Sequence, residues 1–558
     1  MPPRSMQVVE PVPGPVASAR YEAARLSILD DFAASVPESL LLPSSIIENP
    51  PKNVTNIPRT CGLLSPTEIE ITEKYDAVAL AAAIACKTFS ATAVAKAFAK
   101  RAIIAHQLSA CLTEWFMDEA LEQAKELDDI LEKTGKTVGP LHGVPISVKG
   151  HIALRGHISI LGFLDSRFKA EDDSLMVSIF RKAGAVFYCK TNQPQALMHM
   201  ESCSPHGRTL NPHNIYLSAG GSSGGEAALV ALRGSVFGIG TDIGGSVRGP
   251  AGVCGIYGFK PTSYTLPMKG FLPGGFGAEL QVLAAPGPMC TSLRDMDLFM
   301  SVVLSARPYI EDPRVIPIPW TGLSSKLNLD GRPLKIGFMM NDGFITPQPP
   351  VTRALEWARN QLQKSTAFEV KPFLPFQTQK AMMDLLHVYW PDGGKLLKEH
   401  LAASDEPMHP LTQWVLNVAE GKELTANEIL KQRVERDDFR CRFSEHWESQ
   451  DVDVVICPLF VGPAPTHDTA YYLNYTAFWN YVDYPGVVVP TPITGLRKGE
   501  EDYPSSEPLG NECSHVRRLW AEGDFEGAPI NLQIMGRRYH DNSLFASLGM
   551  LKEALQLQ

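Results

Sequence analysis

Ser222 and Ser246 stand twenty-four residues apart (246 minus 222) in one glycine-rich run, from Gly220-Gly221-Ser222-Ser223-Gly224-Gly225-Glu226 to Gly240-Thr241-Asp242-Ile243-Gly244-Gly245-Ser246-Val247-Arg248-Gly249-Pro250. Two hydroxyls in such a setting suit a nucleophile and the proton shuttle that activates it. Residues without Cβ let the backbone approach a ligand closely and adopt conformations closed to other residues. Consecutive amides around Ile243, Gly244, Gly245 and Ser246 could therefore point into one small space, which is what a developing oxyanion needs.

Other glycine-rich sites fit less well. No Gly-Lys-Ser/Thr follows the first cluster, so it is not a phosphate-binding loop, and a dinucleotide fingerprint is weakly supported. Gly220 to Gly224 does fit a G-x-S-x-G nucleophile elbow, with Asp524 and His540 downstream in the right order. That arrangement leaves the second cluster unexplained. Two surface loops with incidental serines are the remaining alternative, although loops seldom stay so rich in glycine for so long without a ligand.

The run resembles the signature of the amidase signature family, and the match continues through Cys254-Gly255-Ile256-Tyr257-Gly258-Phe259-Lys260-Pro261-Thr262. The resemblance implies a Ser-Ser-Lys triad, with Ser246 as nucleophile, Ser222 as bridging serine after a cis peptide bond, and the lysine of a Gly-Val-Pro-hydrophobic-x-x-Lys strand. Leu141-His142-Gly143-Val144-Pro145-Ile146-Ser147-Val148-Lys149 supplies that strand and makes Lys149 the base. It further implies an oxyanion hole from Ile243, Gly244, Gly245 and Ser246, a backbone contact to substrate at Leu197 beside the nucleophile, and Ser222 among the substrate-binding residues. Asp242 and Arg248 are expected to orient the loop. His142, His199 and His206 lie near these motifs, but the triad uses no imidazole and no role is expected for them. Glu226 resembles the acetamidase-type and fatty acid amide hydrolase-type members, where the glutamyl-tRNA amidotransferase A subunit more usually has a small residue.

The implied reaction is hydrolysis of a carboxylic amide through an acyl-enzyme on Ser246, with no metal and no cofactor. A lysine at its reference pKa of about 10.4 is neutral in roughly one molecule in a few thousand at pH 7, a deficit of about 4.6 kcal/mol. Burial among Val144, Pro145, Ile146 and Val148 is expected to lower that pKa, because desolvation disfavours the ammonium. Two competing functions remain at this point: a glutaminase-type A subunit of a tRNA-dependent amidotransferase, and a catalytically retired binding protein. Retention of Lys149, Ser222 and Ser246 weighs against the second.

The elements that would carry these residues alternate. Ser90 is an N-cap for a helix with Val94, Ala95, Phe98, Ala102 and Ile103 at helical spacing, and Asp118 to Lys133 forms a second helix ending before Gly135. Asp173 to Ala183 reads as a helix, followed by a strand from Ala185 to Cys189. Further strands are expected at Leu334 to Met339 and Val452 to Cys457, with a helix at Val351 to Leu362 between them. The resemblance adds a C-terminal core strand over Gly527 to Gly536. The expected fold is α/β, a single large domain over 66–558 with a mixed, mostly parallel sheet covered by helices. Residues 1–65 form an N-terminal arm with a helical patch from Ala17 to Ala34. Between Asp342 and Asn480 lie many aromatics, among them Tyr389, Trp390, Trp414, Trp447, Tyr475, Phe478 and Trp479, a subset of which is a candidate acyl-pocket lining.

Composition sets the outer bounds. The chain has 558 residues, 44% hydrophobic and 20% charged, values ordinary for a globular protein with a large core. A net charge of -10 without a basic block gives no reason to expect nucleic-acid binding. Ten cysteines at wide intervals, with no Cys-x-x-Cys pair, argue against a zinc site and a disulfide scaffold. No stretch approaches the roughly 20 apolar residues of a membrane span, so a soluble, cytoplasmic enzyme acting on a small-molecule amide is expected, with a homodimer left open. The sequons Asn53-Val54-Thr55 and Asn474-Tyr475-Thr476 are read as incidental.

Overall fold

A computed structural model describes residues 6–12, 17–271 and 279–558; parts of the expected arm, 1–5 and 13–16, lie outside the described residues. The expected elements are present with ends shifted by a few residues. Helix α1 spans Ala19–Ala34. Ser90 accepts from the Ala93 amide at 3.0 Å and opens α2, Ala91–Ser109, whose apolar face is fully buried. Helix α3 covers Met117–Thr134 and is closed by Gly135 at φ +66°, a left-handed cap that glycine adopts without strain. Helices α4 (Leu175–Lys182), α5 (Gly224–Ala231), α6 (Arg248–Val253), α7 (Pro349–Leu362), α8 (Thr378–Tyr389) and α9 (Asn474–Tyr481) follow.

One sheet of eleven strands organises the chain. In chain order they are β1 Leu112–Trp115, β2 Pro145–Lys149, β3 Val186–Thr191, β4 Phe237–Asp242, β5 Tyr257–Lys260, β6 Ala285–Cys290, β7 Leu334–Phe338, β8 Phe368–Pro372, β9 Val454–Pro458, β10 Gly486–Thr494 and β11 Pro529–Met535. Their spatial order is β1-β3-β2-β4-β6-β5-β10-β11-β9-β7-β8. The domain is α/β with a mixed sheet, as expected. Its parallel pairings form two blocks, β3-β2-β4 and β9-β7-β8, and the pairings between those blocks run antiparallel, so parallel strands do not extend across most of its width. Strand β6 reads Ala-Pro-Gly-Pro-Met-Cys, and Pro286 and Pro288 lie where it pairs with β4 but not with β5, so their missing N–H groups break no second ladder.

Helices α5 and α2 cover the first of these blocks. Helix α5 packs on β2, β3 and β4, while α6 lies on β5, β10 and β11. The residues between, in β2 and β4, are all buried, and each buried Val or Ile there contributes about 1.5–3 kcal/mol of apolar burial. The N-terminal segment joins the same core through Val9, Phe32, Leu40 and Leu42, and Arg20 pairs with Asp405 at 3.1 Å. All ten cysteines are free thiols.

Candidate active site

The parallel block delivers its strand ends to one place. Strand β2 ends at Lys149 and β4 at Asp242, so the base candidate and the glycine loop leave the same edge of the sheet side by side. Close packing explains the glycines that precede Ser222. A Cβ on Gly220 would lie 2.7 Å from the Cα of Pro250, and one on Gly221 would collide with the His199 carbonyl. Thus the first cluster presses on the second, and the Ser223 amide donates to the Ser246 carbonyl at 3.1 Å. The Gly221–Ser222 peptide is cis.

Lys149 is fully buried. Its Nζ donates to Ser222 Oγ at 2.7 Å and to Thr241 Oγ1 at 3.3 Å. Burial pushes its pKa from 10.5 down to about 7, opposed by the negative charges of Asp242 and Glu226. Neutral amine is therefore abundant near pH 7, which removes most of the deficit carried by an ordinary lysine.

Behind the loop the arrangement is saturated. Asp242 accepts from the amides of Gly245 (2.8 Å), Val247 (3.2 Å) and Arg248 (3.2 Å), from Arg248 Nε and Nη2 (both 3.1 Å) and from Asn480 Nδ2 (2.9 Å). Arg248 also donates to Gln533 Oε1, the Thr476 carbonyl and Asn480 Oδ1. The guanidinium and these donors hold Asp242 at about 2 although its burial alone acts in the opposite sense. Removing two charges from water costs several kcal/mol per ion, and only a full complement of partners offsets that.

These bonds aim the loop's amides. In a trans peptide the C=O and the next N–H point in opposite directions. The Asp242 carbonyl accepts from Asn480, the Ile243 carbonyl from Tyr389 Oη at 2.8 Å, and the Gly245 carbonyl from the Gly249 amide. The N–H groups of Ile243, Gly244 and Ser246 are thereby turned to the opposite side, and among the described residues none has a protein acceptor. Gly245 departs from the expected set. Thr476 Oγ1 holds the Gly244 carbonyl at 2.7 Å, and the Gly245 amide is spent on Asp242, so this residue serves the loop's geometry. Its φ of +124° and the clash a Cβ would make with Thr476 require glycine there.

Ser246 opens on a small cavity walled by Leu197, Met198, Met200, Tyr389, Leu473 and the Ile243-Gly244 backbone. Ala196 and Leu197 take φ of +58° and +62°, and Leu197 lines the wall. His199 also reaches the wall and stacks on His409 at 4.9 Å, so it is nearer to the site than its sequence position suggested. His142 and His206 make no contact with the triad: His142 accepts from the Val138 amide. The elbow alternative is not met, since Ser222 partners Lys149 while Asp524 forms a surface pair with Lys52. Of the aromatics named above, Tyr389 is the one that lines this cavity among the described residues; Trp447, Phe478 and Trp479 belong to the same hydrophobic cluster as Tyr389, Met200 and Leu473 but lie behind the wall. Thr476, Asn480 and Gln533 were missed. Thr476 hid inside a sequon whose Asn474 is fully buried, and Gln533 inside a strand legible only as core.

Comparison with known proteins places this geometry. The amidase family profile matches residues 93–545. An acetamidase of Aspergillus oryzae is 35% identical over 527 residues, covering 92% of this chain and 94% of its own. An amidase of Gibberella moniliformis is also 35% identical, over 541 residues and 94% and 96% of the two chains. Among solved structures, a fatty acid amide hydrolase superposes with a TM-score of 0.86 at 33% identity, covering 96% of this chain and 95% of that one.

Proposed function

The chain belongs to the amidase family of carbon–nitrogen hydrolases, and we propose that it hydrolyses short-chain carboxylic amides through an acyl-enzyme on Ser246. The observation that carries this reading is the fully buried Lys149 amine 2.7 Å from Ser222, beside a serine whose loop presents three unpaired amides. In the proposed sequence neutral Lys149 takes the Ser222 proton and Ser222 takes that of Ser246. The freed Ser246 Oγ then bonds to the amide carbon. The carbonyl oxygen gains negative charge and is met by the N–H groups of Ile243, Gly244 and Ser246, a stabilisation in which a single donor is worth about 2.7–4 kcal/mol. The proton returns along the same path to the nitrogen, the C–N bond breaks, and ammonia or an amine leaves. Water, deprotonated by the same relay, releases the carboxylate. No step calls on a metal or cofactor, and a cytoplasmic setting fits the ten unpaired cysteines.

The narrow cavity supports the short-chain part. One relative bears the name acetamidase and one structural neighbour the name fatty acid amide hydrolase, and the close wall of Leu197, Met198, Tyr389 and Leu473 around Ser246 suits the first. Ammonia release from a graded series of primary amides, acetamide to oleamide, tests this. Turnover should be greatest for the shortest acyl groups. A preference rising with chain length overturns the substrate assignment, and a fluorophosphonate adduct on Ser222 rather than Ser246 overturns the nucleophile.

A further inference from the structure

Glu226 is a fully buried carboxylate that the proposed relay does not use. It enters from the first turn of α5 and lies over Ser147 and Gly238, which face each other across β2 and β4. Its Oε2 accepts from Ser147 Oγ at 2.5 Å and its Oε1 from Thr191 Oγ1 at 2.9 Å. A Cβ at Gly238 would occupy the carboxylate's own position. Glu226 has no ion-pair contact among the described residues, an uncommon state for a buried acid.

Its placement relative to Lys149 is the informative feature. Ser147 and Lys149 are two apart on β2, so their side chains share the sheet face covered by α5, with Cα atoms separated by roughly 6.6 Å. Thr191 is the register partner of Lys149 on β3. The carboxylate is thus fastened to the residue behind the lysine and to the residue beside it, while the amine is turned forward to Ser222 and Thr241. Other titratable groups facing Glu226 are Cys111 ahead of β1 and Tyr188 and Cys189 of β3, all pushed upward by burial and so neutral. Asp242, at the end of β4, is committed to Arg248. Lys149 remains as the neighbour whose charge changes.

We propose, resting on the role given to Lys149 above, that Glu226 is a positioning residue that sets the proton affinity of Lys149 by its charge, without touching the amine. A carboxylate in contact would lock Lys149 as an ammonium. One strand repeat away and tied to two hydroxyls, it stabilises the ammonium that forms as Ser222 gives up its proton, yet leaves the amine free to return that proton.

The sign is fixed. An anion favours the charged lysine, so removing it lowers the pKa of Lys149 and moves the rising limb of the rate against pH to lower pH. Glu226→Gln keeps size and hydrogen-bonding capacity, and its limb should lie about one pH unit below that of the full chain, in both acetamide turnover and fluorophosphonate labelling of Ser246. A limb that stays in place or moves up overturns the proposal, as does a variant that loses amplitude with an unmoved limb, since a purely structural carboxylate would behave so. Should Glu226→Gln not fold, Ser147→Ala removes one of the two donors that favour the ionised form of the acid, and its limb must also fall. Lys149→Ala separates the two failures: a limb that persists there belongs to another group and sinks the reading of Lys149 itself.

Discussion

Asp242–Arg248 and Lys149–Glu226 are both buried pairs of opposite charge, lodged on the two sides of one glycine loop, and they are built in opposite ways. Asp242 and Arg248 touch at 3.1 Å and both oxygens of the carboxylate accept several hydrogen bonds, so the carboxyl stays ionised down to about pH 2. Lys149 and Glu226 do not touch, are bonded mainly to hydroxyls, and each is brought by burial to about 7. Full pairing makes a charge permanent; partial pairing in the same low-dielectric surroundings makes it titrate. The proposed reaction calls for both, a rigid amide cradle and a mobile proton.

Ser246→Ala gives the largest effect expected. It deletes the proposed nucleophile and leaves both charge pairs intact, so amide hydrolysis should fall to background while the thermal unfolding midpoint holds. Substantial residual turnover by the purified variant would separate the cradle from the chemistry and break the comparison.

Lys149→Ala tests the titrating side alone. In the full chain the rate should rise with pH through about 7, because the neutral amine is the working form and it gains population above that value. The variant should lose that limb and keep slow, weakly pH-dependent hydrolysis, down by about three orders of magnitude, since the amide cradle survives. Wild-type rates with the same profile would remove Lys149 from the relay.

Arg248→Met tests the permanent side. It strands Asp242 without its main partner in a site with no exposure, and breaking such a pair costs about 3–5 kcal/mol. Denaturant unfolding should show a loss of that order, accompanied by weaker turnover whose pH limb stays near 7. A shifted limb would show that the two pairs are not independent.

How much of this could be read from the chain alone follows the same division. Lys149, Ser222 and Ser246 could be named as candidates because the glycine clusters and the Gly-Val-Pro strand are contiguous stretches that resemble a family signature, and the Ser90 cap and Gly135 stop were legible because they too are local patterns. The antiparallel middle of the sheet was not, since β6 carries two prolines and β5 and β10 pair across more than two hundred residues. Nor was the back of the loop. Thr476, Asn480 and Gln533 reach Arg248 and Gly244 from 228 to 285 residues away, and nothing in their own neighbourhoods distinguishes them from ordinary helix and strand residues. Gly245 shows a subtler limit: its position in the loop suggested an oxyanion donor, and only the direction of its N–H, toward Asp242, gives it the other role.

The smallest expected effect tests how finely the saturated side aims the reactive one. Tyr389 Oη donates to the Ile243 carbonyl at 2.8 Å, and that carbonyl shares a peptide plane with the Gly244 amide that faces the cavity. Tyr389→Phe removes one hydrogen bond worth about 0.5–1.5 kcal/mol and leaves the ring in the wall. Its consequence should appear in the transition state, where charge on the oxygen makes amide direction matter most, and not in substrate affinity. The expected result is a kcat about three- to ten-fold lower with KM and unfolding midpoint unchanged. An unchanged kcat would mean that Thr476, Asn480 and Asp242 fix the loop without the hydroxyl, and a raised KM would place Tyr389 among the groups that grip the acyl chain.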